Sequence, residues 1–204
     1  MKNDLNALFK LEYGLYVITC KDGDKDNGLI VNTVMQVTNT PNRILVALNK
    51  SSYSHEIIKK TGMMNINCLT AETPFSIIQN FGYQSGMNTN KFDELQFFRS
   101  ENDIAVLSNH INAYISLQVE KYVEYKTHGL FFCSVAEAEI LSDIESLTYS
   151  YYQSHIKPKP ETKKKKGFIC KICGYIYEGE TLPDDFICPI CLHGVADFEP
   201  LENT

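Results

Sequence analysis

The chain has 204 residues, 44% of them hydrophobic, and a formal charge of −6. That much apolar sequence excludes a disordered chain and supports one or two domains with a sizeable core, while no apolar run approaches the 18 residues a transmembrane helix needs. The net acidity argues against nucleic acid as the main partner, and residues 1–9 lack an apolar signal core, so a soluble cytoplasmic protein without membrane attachment is expected.

In chain order, residues 14–20, 29–38 and 44–48 are dense in β-branched side chains and are predicted as strands. Residues 54–60 are predicted as a short helix stopped by Thr61 and Gly62. A second helix opens with Thr73 as N-cap and Pro74 at the first position. It places Phe75, Ile78 and Phe81 on one face, and Gly82 follows it. Ile111, Ala113, Ile115, Leu117 and Val119 recur with period 2, and residues 130–141 continue as another long strand. Many strands with few helices predict a mainly β fold, a closed or partly closed antiparallel barrel.

Composition then divides the chain. Residues 157–167 contain six Lys, one Glu and two Pro and no apolar side chain apart from the prolines, which reads as an extended, solvated linker. Residues 1–156 carry 12 basic and 17 acidic residues, and residues 168–204 carry one basic and seven acidic. The expected organisation is a large domain at 1–156, a Lys/Pro linker at 157–167 and a small acidic module at 168–204.

The cysteines divide in the same way. Cys20, Cys68 and Cys133 stand far apart and are expected to be buried small hydrophobes. Cys170, Cys173, Cys188 and Cys191 form two Cys-x-x-Cys pairs, which suit four thiolates around a tetrahedral zinc or iron ion better than a disulfide framework. Backbone N–H groups in such turns can point at the sulfurs. A module this small needs the metal to fold.

In the large domain there is no GxG phosphate loop. The stretch Asn32-Thr33-Val34-Met35-Gln36-Val37-Thr38 interrupts an apolar run with polar groups. Asn49-Lys50-Ser51-Ser52-Tyr53-Ser54-His55 gathers hydroxyl, amide and cationic donors at a strand end and a helix start. Such a segment is either a cradle for a phosphate-bearing cofactor or an ordinary capped turn.

Two family resemblances bear on these choices. CKICGYIY followed by LPDDFICPIC, within residues 168–200, resembles the rubredoxin family, which implies an Fe(Cys)4 one-electron carrier; a structural zinc ribbon is the alternative. The 14 residues between the pairs are nearer the short rubredoxin-like module of rubrerythrins. Phe186 replaces a usual Trp, and Leu192 stands where a Gly commonly takes a positive φ. NTVMQVT, ILVALNKSSYSHEII, IIQNFGYQSGMNTNKF and THGLFFCSVAEAEIL, in order over about residues 10–142, resemble the flavin-reductase-like FMN-binding split-barrel family. That resemblance implies a homodimer with FMN at the interface. It places Asn32, Thr33, Val34, Met35 and Gln36 at the isoalloxazine, and Asn49, Lys50, Ser51 and Ser52 near the ribityl chain and phosphate. Tyr53 and His55 would flank the pocket, Gly82, Ser85, Gly86, Lys91 and Phe92 would border the flavin or nicotinamide, and His128 would lie on the nicotinamide side as the catalytic candidate. Met87, Lys126-Thr127 and Cys133 depart from the family pattern. The fusion resembles high-molecular-weight rubredoxins. It implies electron flow from NAD(P)H to FMN, to iron, and on to a flavodiiron oxygen or nitric oxide reductase. A flavin or ferric reductase with a zinc ribbon, and an FMN relay served by a separate reductase, are the competing readings.

Overall fold

A computed structural model describes residues 4–158 and 167–201. Of the predicted linker, residues 159–166 lie outside the described residues. The chain divides into two compact units, Met1–Ile156 and Lys157–Thr204.

The first unit is built on β1 (Tyr16–Asp22), β2 (Lys25–Val31), β3 (Val34–Asn39), β4 (Asn42–Asn49), β5 (Met63–Leu69), β6 (Phe97–Arg99), β7 (Ala105–Leu107), β8 (Ile111–Tyr125) and β9 (His128–Ile140). Two helices, α1 (Tyr53–Thr61) and α2 (Phe75–Tyr83), fall between strands. Seven strands form one antiparallel sheet in the order β2-β1-β5-β8-β9-β4-β3, and β6 and β7 pair separately. Period-2 alternation loads both faces of the sheet. Val17 packs with Ile78, Phe81 and Val106 on one face, while the next residue, Ile18, packs with Ile44, Val46 and Phe131 on the other. Ile18 and Val31 come from one end of the sheet, and Ile44 and Val46 from a strand near the opposite end. They share one core because the sheet curls on itself as a split barrel.

The β6–β7 hairpin lies outside the main ladder, so its backbone groups need other partners. Side chains of β5 and β1 supply them. Asn67 Oδ1 accepts from the Leu107 N–H at 2.8 Å, Asn65 Nδ2 donates to Ser100 Oγ at 2.7 Å and to Ile104 O at 3.2 Å, and Thr19 Oγ1 donates to Ala105 O at 2.6 Å.

Several predicted elements shift. The strand predicted over 29–38 is two strands, because the chain turns at Asn32 and Thr33, between β2 and β3. α1 starts one residue earlier than predicted, with Ser52 as its N-cap, and ends at Gly62, whose φ of 72° suits glycine. In α2 the N-cap is Pro74, not Thr73, whose Oγ1 instead donates to His110 O, and Gly82 lies inside the helix. No strand was predicted at β5, β6 or β7.

In the second unit β10 (Gly167–Cys170) lies between β11 (Ile176–Glu178) and β12 (Phe198–Pro200). Its small core is aromatic: Phe186 stacks with Tyr175 and meets Tyr177 and Phe198 edge-on. Among the described residues no helix is long and apolar enough to cross a membrane.

Candidate functional site

The two Cys-x-x-Cys turns bring Cys170, Cys173, Cys188 and Cys191 together with all four sulfurs within 4.8 Å of one another. Cys170 Sγ lies 3.5 Å from Cys191 Sγ, and Cys173 Sγ lies 3.5 Å from Cys188 Sγ. Thiolates around a tetrahedral ion at about 2.3 Å sit about 3.8 Å apart, so the donor set fits one metal ion. The turns match each other. Gly174 N–H donates to Cys170 O at 2.8 Å and Leu192 N–H to Cys188 O at 2.9 Å, with φ of 78° at Gly174 and 61° at Leu192. The amide N–H of Tyr175 points at the Cys173 sulfur and that of His193 at the Cys191 sulfur. Burial nevertheless pushes Cys173 up to about 12 and raises Cys191. At Cys170 burial acts upward too, but the N–H groups of Cys173 and Ile172 and the neighbouring thiols bring it below the ordinary thiol value. Such a cluster becomes a full set of thiolates when a cation supplies the balancing charge.

The three remaining cysteines have a different environment. Burial pushes Cys20 and Cys133 up to about 12 and Cys68 up to about 11. All three are thiols at neutral pH, packed with apolar neighbours of the barrel interior.

In the barrel unit the predicted residues distribute around two hollows. Asn32, Thr33, Val34 and Met35 line a cleft of about 460 Å³ with Tyr13, Tyr16, Leu45 and Ala47. Gln36, next along β3, is exposed, and its Nε2 donates to Thr38 O and Asn42 Oδ1. Ser51, Ser52, Tyr53, Gly82, Ser85, Gly86 and Lys91 line a second cavity of about 210 Å³ at the start of α1. Asn49 holds Ser51, its Oδ1 accepting from both the N–H and the hydroxyl of Ser51 at 3.0 Å. Lys50 pairs with Glu124 at 2.6 Å, on the exposed β8–β9 hairpin.

Three further predicted residues, like Gln36, Asn49 and Lys50, line neither hollow. His55 is buried below α1, with Nδ1 2.8 Å from Glu56 Oε1 and Nε2 3.2 Å from the Tyr122 hydroxyl. Phe92 is buried in the core between Phe81 and Phe97. His128 is half-buried at the start of β9, across the ladder from Asn49, with Nδ1 2.9 Å from Thr127 Oγ1.

Sequence reasoning missed Asn27. It borders the smaller cavity, is 2% exposed, and its Oδ1 has no hydrogen-bond partner. Leaving such an acceptor dry costs about 1–3 kcal/mol. No sequence signal marked it, because residues 21–28 carry a polar, Gly-containing pattern that reads as a turn; β2 begins at Lys25 and sets Asn27 opposite Cys20. The hydroxyl-rich wall, the α1 N-terminus and the buried Lys91 fit the polar part of a flavin.

Residues 8–159 match the flavin reductase like domain family, and residues 168–199 match the rubrerythrin, rubredoxin-like domain. The chain therefore belongs to the flavin reductase-like family, as a member fused to a rubredoxin-like metal domain with four cysteine ligands. That fusion is the architecture of a high molecular weight rubredoxin. The chain is 35% identical to the high molecular weight rubredoxin of Moorella thermoacetica, over 97% of this chain and all of that one. It is 34% identical to a ferric-chelate reductase (NAD(P)H) of Archaeoglobus fulgidus, over 79% of this chain and 94% of that one. The fold resembles that of the Streptomyces globisporus NADH:FAD oxidoreductase SgcE6, with a TM-score of 0.64 at 17% identity, covering 70% of this chain and 84% of that one.

Proposed function

We infer that this chain is an NAD(P)H-dependent oxidoreductase that passes electrons through FMN to an Fe(Cys)4 centre and on to an external protein acceptor, such as a flavodiiron oxygen or nitric oxide reductase. The observation that carries this reading is the four-cysteine cluster, built within one chain that also folds as a flavin reductase-like barrel. A bound flavin accepts a hydride and releases electrons singly, and a four-thiolate iron passes one electron at a time.

In this reading Asn32, Thr33, Val34 and Met35 hold the flavin ring along the larger cleft. Ser51, Ser52 and the first amides of α1 take the phosphate, where the helix N-terminus favours an anion. Gly82, Ser85 and Gly86 wall the same cavity, and Lys91 lies beneath it. His128 orients the nicotinamide from the rim, so His128→Gln is expected to raise the KM for NAD(P)H several-fold while flavin content is unchanged. A second copy of the chain completes the ring cleft. The support is β3, an outer strand of the sheet with Met35 and Val37 exposed.

The test is the visible spectrum of the purified full chain before and after NADH or NADPH under argon. Iron–thiolate bands beside flavin bands, both bleached by the nucleotide, are expected. Flavin bands alone with stoichiometric zinc would leave a flavin or ferric reductase carrying a structural ribbon. Flavin unbleached by either nucleotide would leave a relay fed by a separate reductase.

A further inference from the structure

The segment 49–55 faces two ways. Ser51 and Ser52 line the cavity at the start of α1, while Lys50 and His55 turn to the β8–β9 hairpin. Both hold a residue next to His128. On one side the Lys50 N–H donates to Thr127 O at 2.9 Å, and the Lys50 ammonium pairs with Glu124. On the other side lies Gly129, where a Cβ would come within 2.5 Å of both His55 Nε2 and the Tyr122 ring. His55 is 1% exposed and meets Tyr122 and Phe131 edge-on, with ring centroids 5.7 and 5.4 Å away. Its polar contacts are directional. A carboxylate only accepts, so Nδ1 donates to Glu56 Oε1 at 2.8 Å, and in the neutral ring Nε2 accepts from the Tyr122 hydroxyl at 3.2 Å. The ladder carries the constraint onward, Tyr122 pairing with Phe131 and Tyr125 with His128. An apolar side chain would fill the same space; the chain Glu56–His55–Tyr122 adds a defined angle and distance between helix and hairpin.

We propose that His55 and Tyr122 are positioning residues: they clamp the β8–β9 hairpin to α1, so that the segment holding the flavin phosphate also sets where His128 meets the nicotinamide. This rests on the assignment of the phosphate to Ser51 and Ser52 and of the nicotinamide side to His128. His55 and Tyr122 line neither hollow, so they act through the hairpin and not by touching a ligand. Gly129 is what lets both rings press against the strand beside His128, because any side chain there would occupy their space. A misplacement of about 1 Å at a reacting centre costs about a hundredfold in rate, so a clamp outside the site has consequences within it.

The test is anaerobic stopped-flow bleaching of the bound flavin in the full chain, which gives the half-saturating NAD(P)H concentration and the limiting rate separately. Tyr122→Phe keeps the ring and removes only the bond to His55. It should raise the half-saturating concentration about three- to tenfold with flavin content unchanged. Glu56→Ala, a change at an exposed side chain, should act in the same direction, and Glu56→Gln, which keeps an acceptor for Nδ1, should stay within about twofold of the wild type. In a chain already carrying His128→Gln, Tyr122→Phe should add less than about twofold, because the clamp acts through His128. Thermal unfolding of each variant separates lost positioning from lost folding, and the Glu56 pair decides the matter if Tyr122→Phe does not fold. Unchanged nucleotide dependence in Tyr122→Phe and Glu56→Ala, while His128→Gln raises it, would overturn the proposal. A Tyr122→Phe effect that multiplies in full with that of His128→Gln would mark plain structural support and overturn it as well. An unchanged value in His128→Gln would instead bring down the assignment of His128, and the proposal with it.

Discussion

Lys91 shows how one buried side chain ties a site to its scaffold. Its ammonium donates to Gly28 O at 2.8 Å and Phe81 O at 3.2 Å, joining β2 to α2 under the smaller cavity. Burial lowers it to about 8, against a small upward pull from Cys20. The folded value lies below that of an unfolded lysine, near 10.4, so between pH 8 and about 10.4 the unfolded chain binds more protons. The contribution of this group to stability therefore rises with pH across that window, by at most about 1.4 kcal/mol per pH unit. Cys20, pushed up to about 12, stays a thiol throughout. Urea unfolding of the wild type minus that of Lys91→Met should show this rise, and a flat or falling difference would contradict it. At Leu192 the backbone is left-handed with φ of 61°, at the position equivalent to Gly174. Leu192→Gly should stabilise the metal-loaded second unit by about 1–2 kcal/mol, read as slower loss of metal to a chelator on heating.

At the scale of elements, the β6–β7 hairpin depends on polar side chains rather than on a shared ladder. Asn67 serves three backbone or hydroxyl groups at once: it accepts from Leu107 N–H and donates to Val17 O and Thr19 Oγ1. Asn67→Ala is expected to destabilise the barrel by about 1–3 kcal/mol in urea unfolding, because Leu107 N–H is left buried without an acceptor. The same residues explain why β5 was illegible. Asn65 and Asn67 lower strand propensity, and their reason for being there is a hairpin some 40 residues away. β8, by contrast, was readable, since Ile115, Leu117 and Val119 alternate onto one core. The break at Asn32 and Thr33 was hidden inside a run of β-branched residues. Only the reversal from β2 to β3 exposes it.

For the whole molecule, two units with separate cores predict separable losses. Cys188→Ala removes one of the four thiols, so iron colour and reduction of the external acceptor should vanish. The flavin should still be bleached by NAD(P)H, because the barrel core contains none of the four ligands. Anaerobic stopped-flow and metal analysis of the variant check both halves, and retained acceptor reduction would contradict the proposed electron path.

The metal cluster was legible from spacing alone, because two short turns fix each pair of sulfurs locally and leave only one long-range closure. The barrel class was legible from period-2 runs and from four motifs in family order. Which residues share a hollow was not legible. Gln36 stands next to Met35 yet lies outside the cleft, although Val34 and Met35 share it, and His55 follows Ser54 yet is packed beneath the helix, where a one-residue step changes the face a side chain occupies. Asn27 acquired its place at the cavity only through the register of β2 on β1 and the approach of a turn almost 60 residues later in the chain. Local chemistry set the ligands of the metal; long-range packing decided which polar groups a flavin would meet.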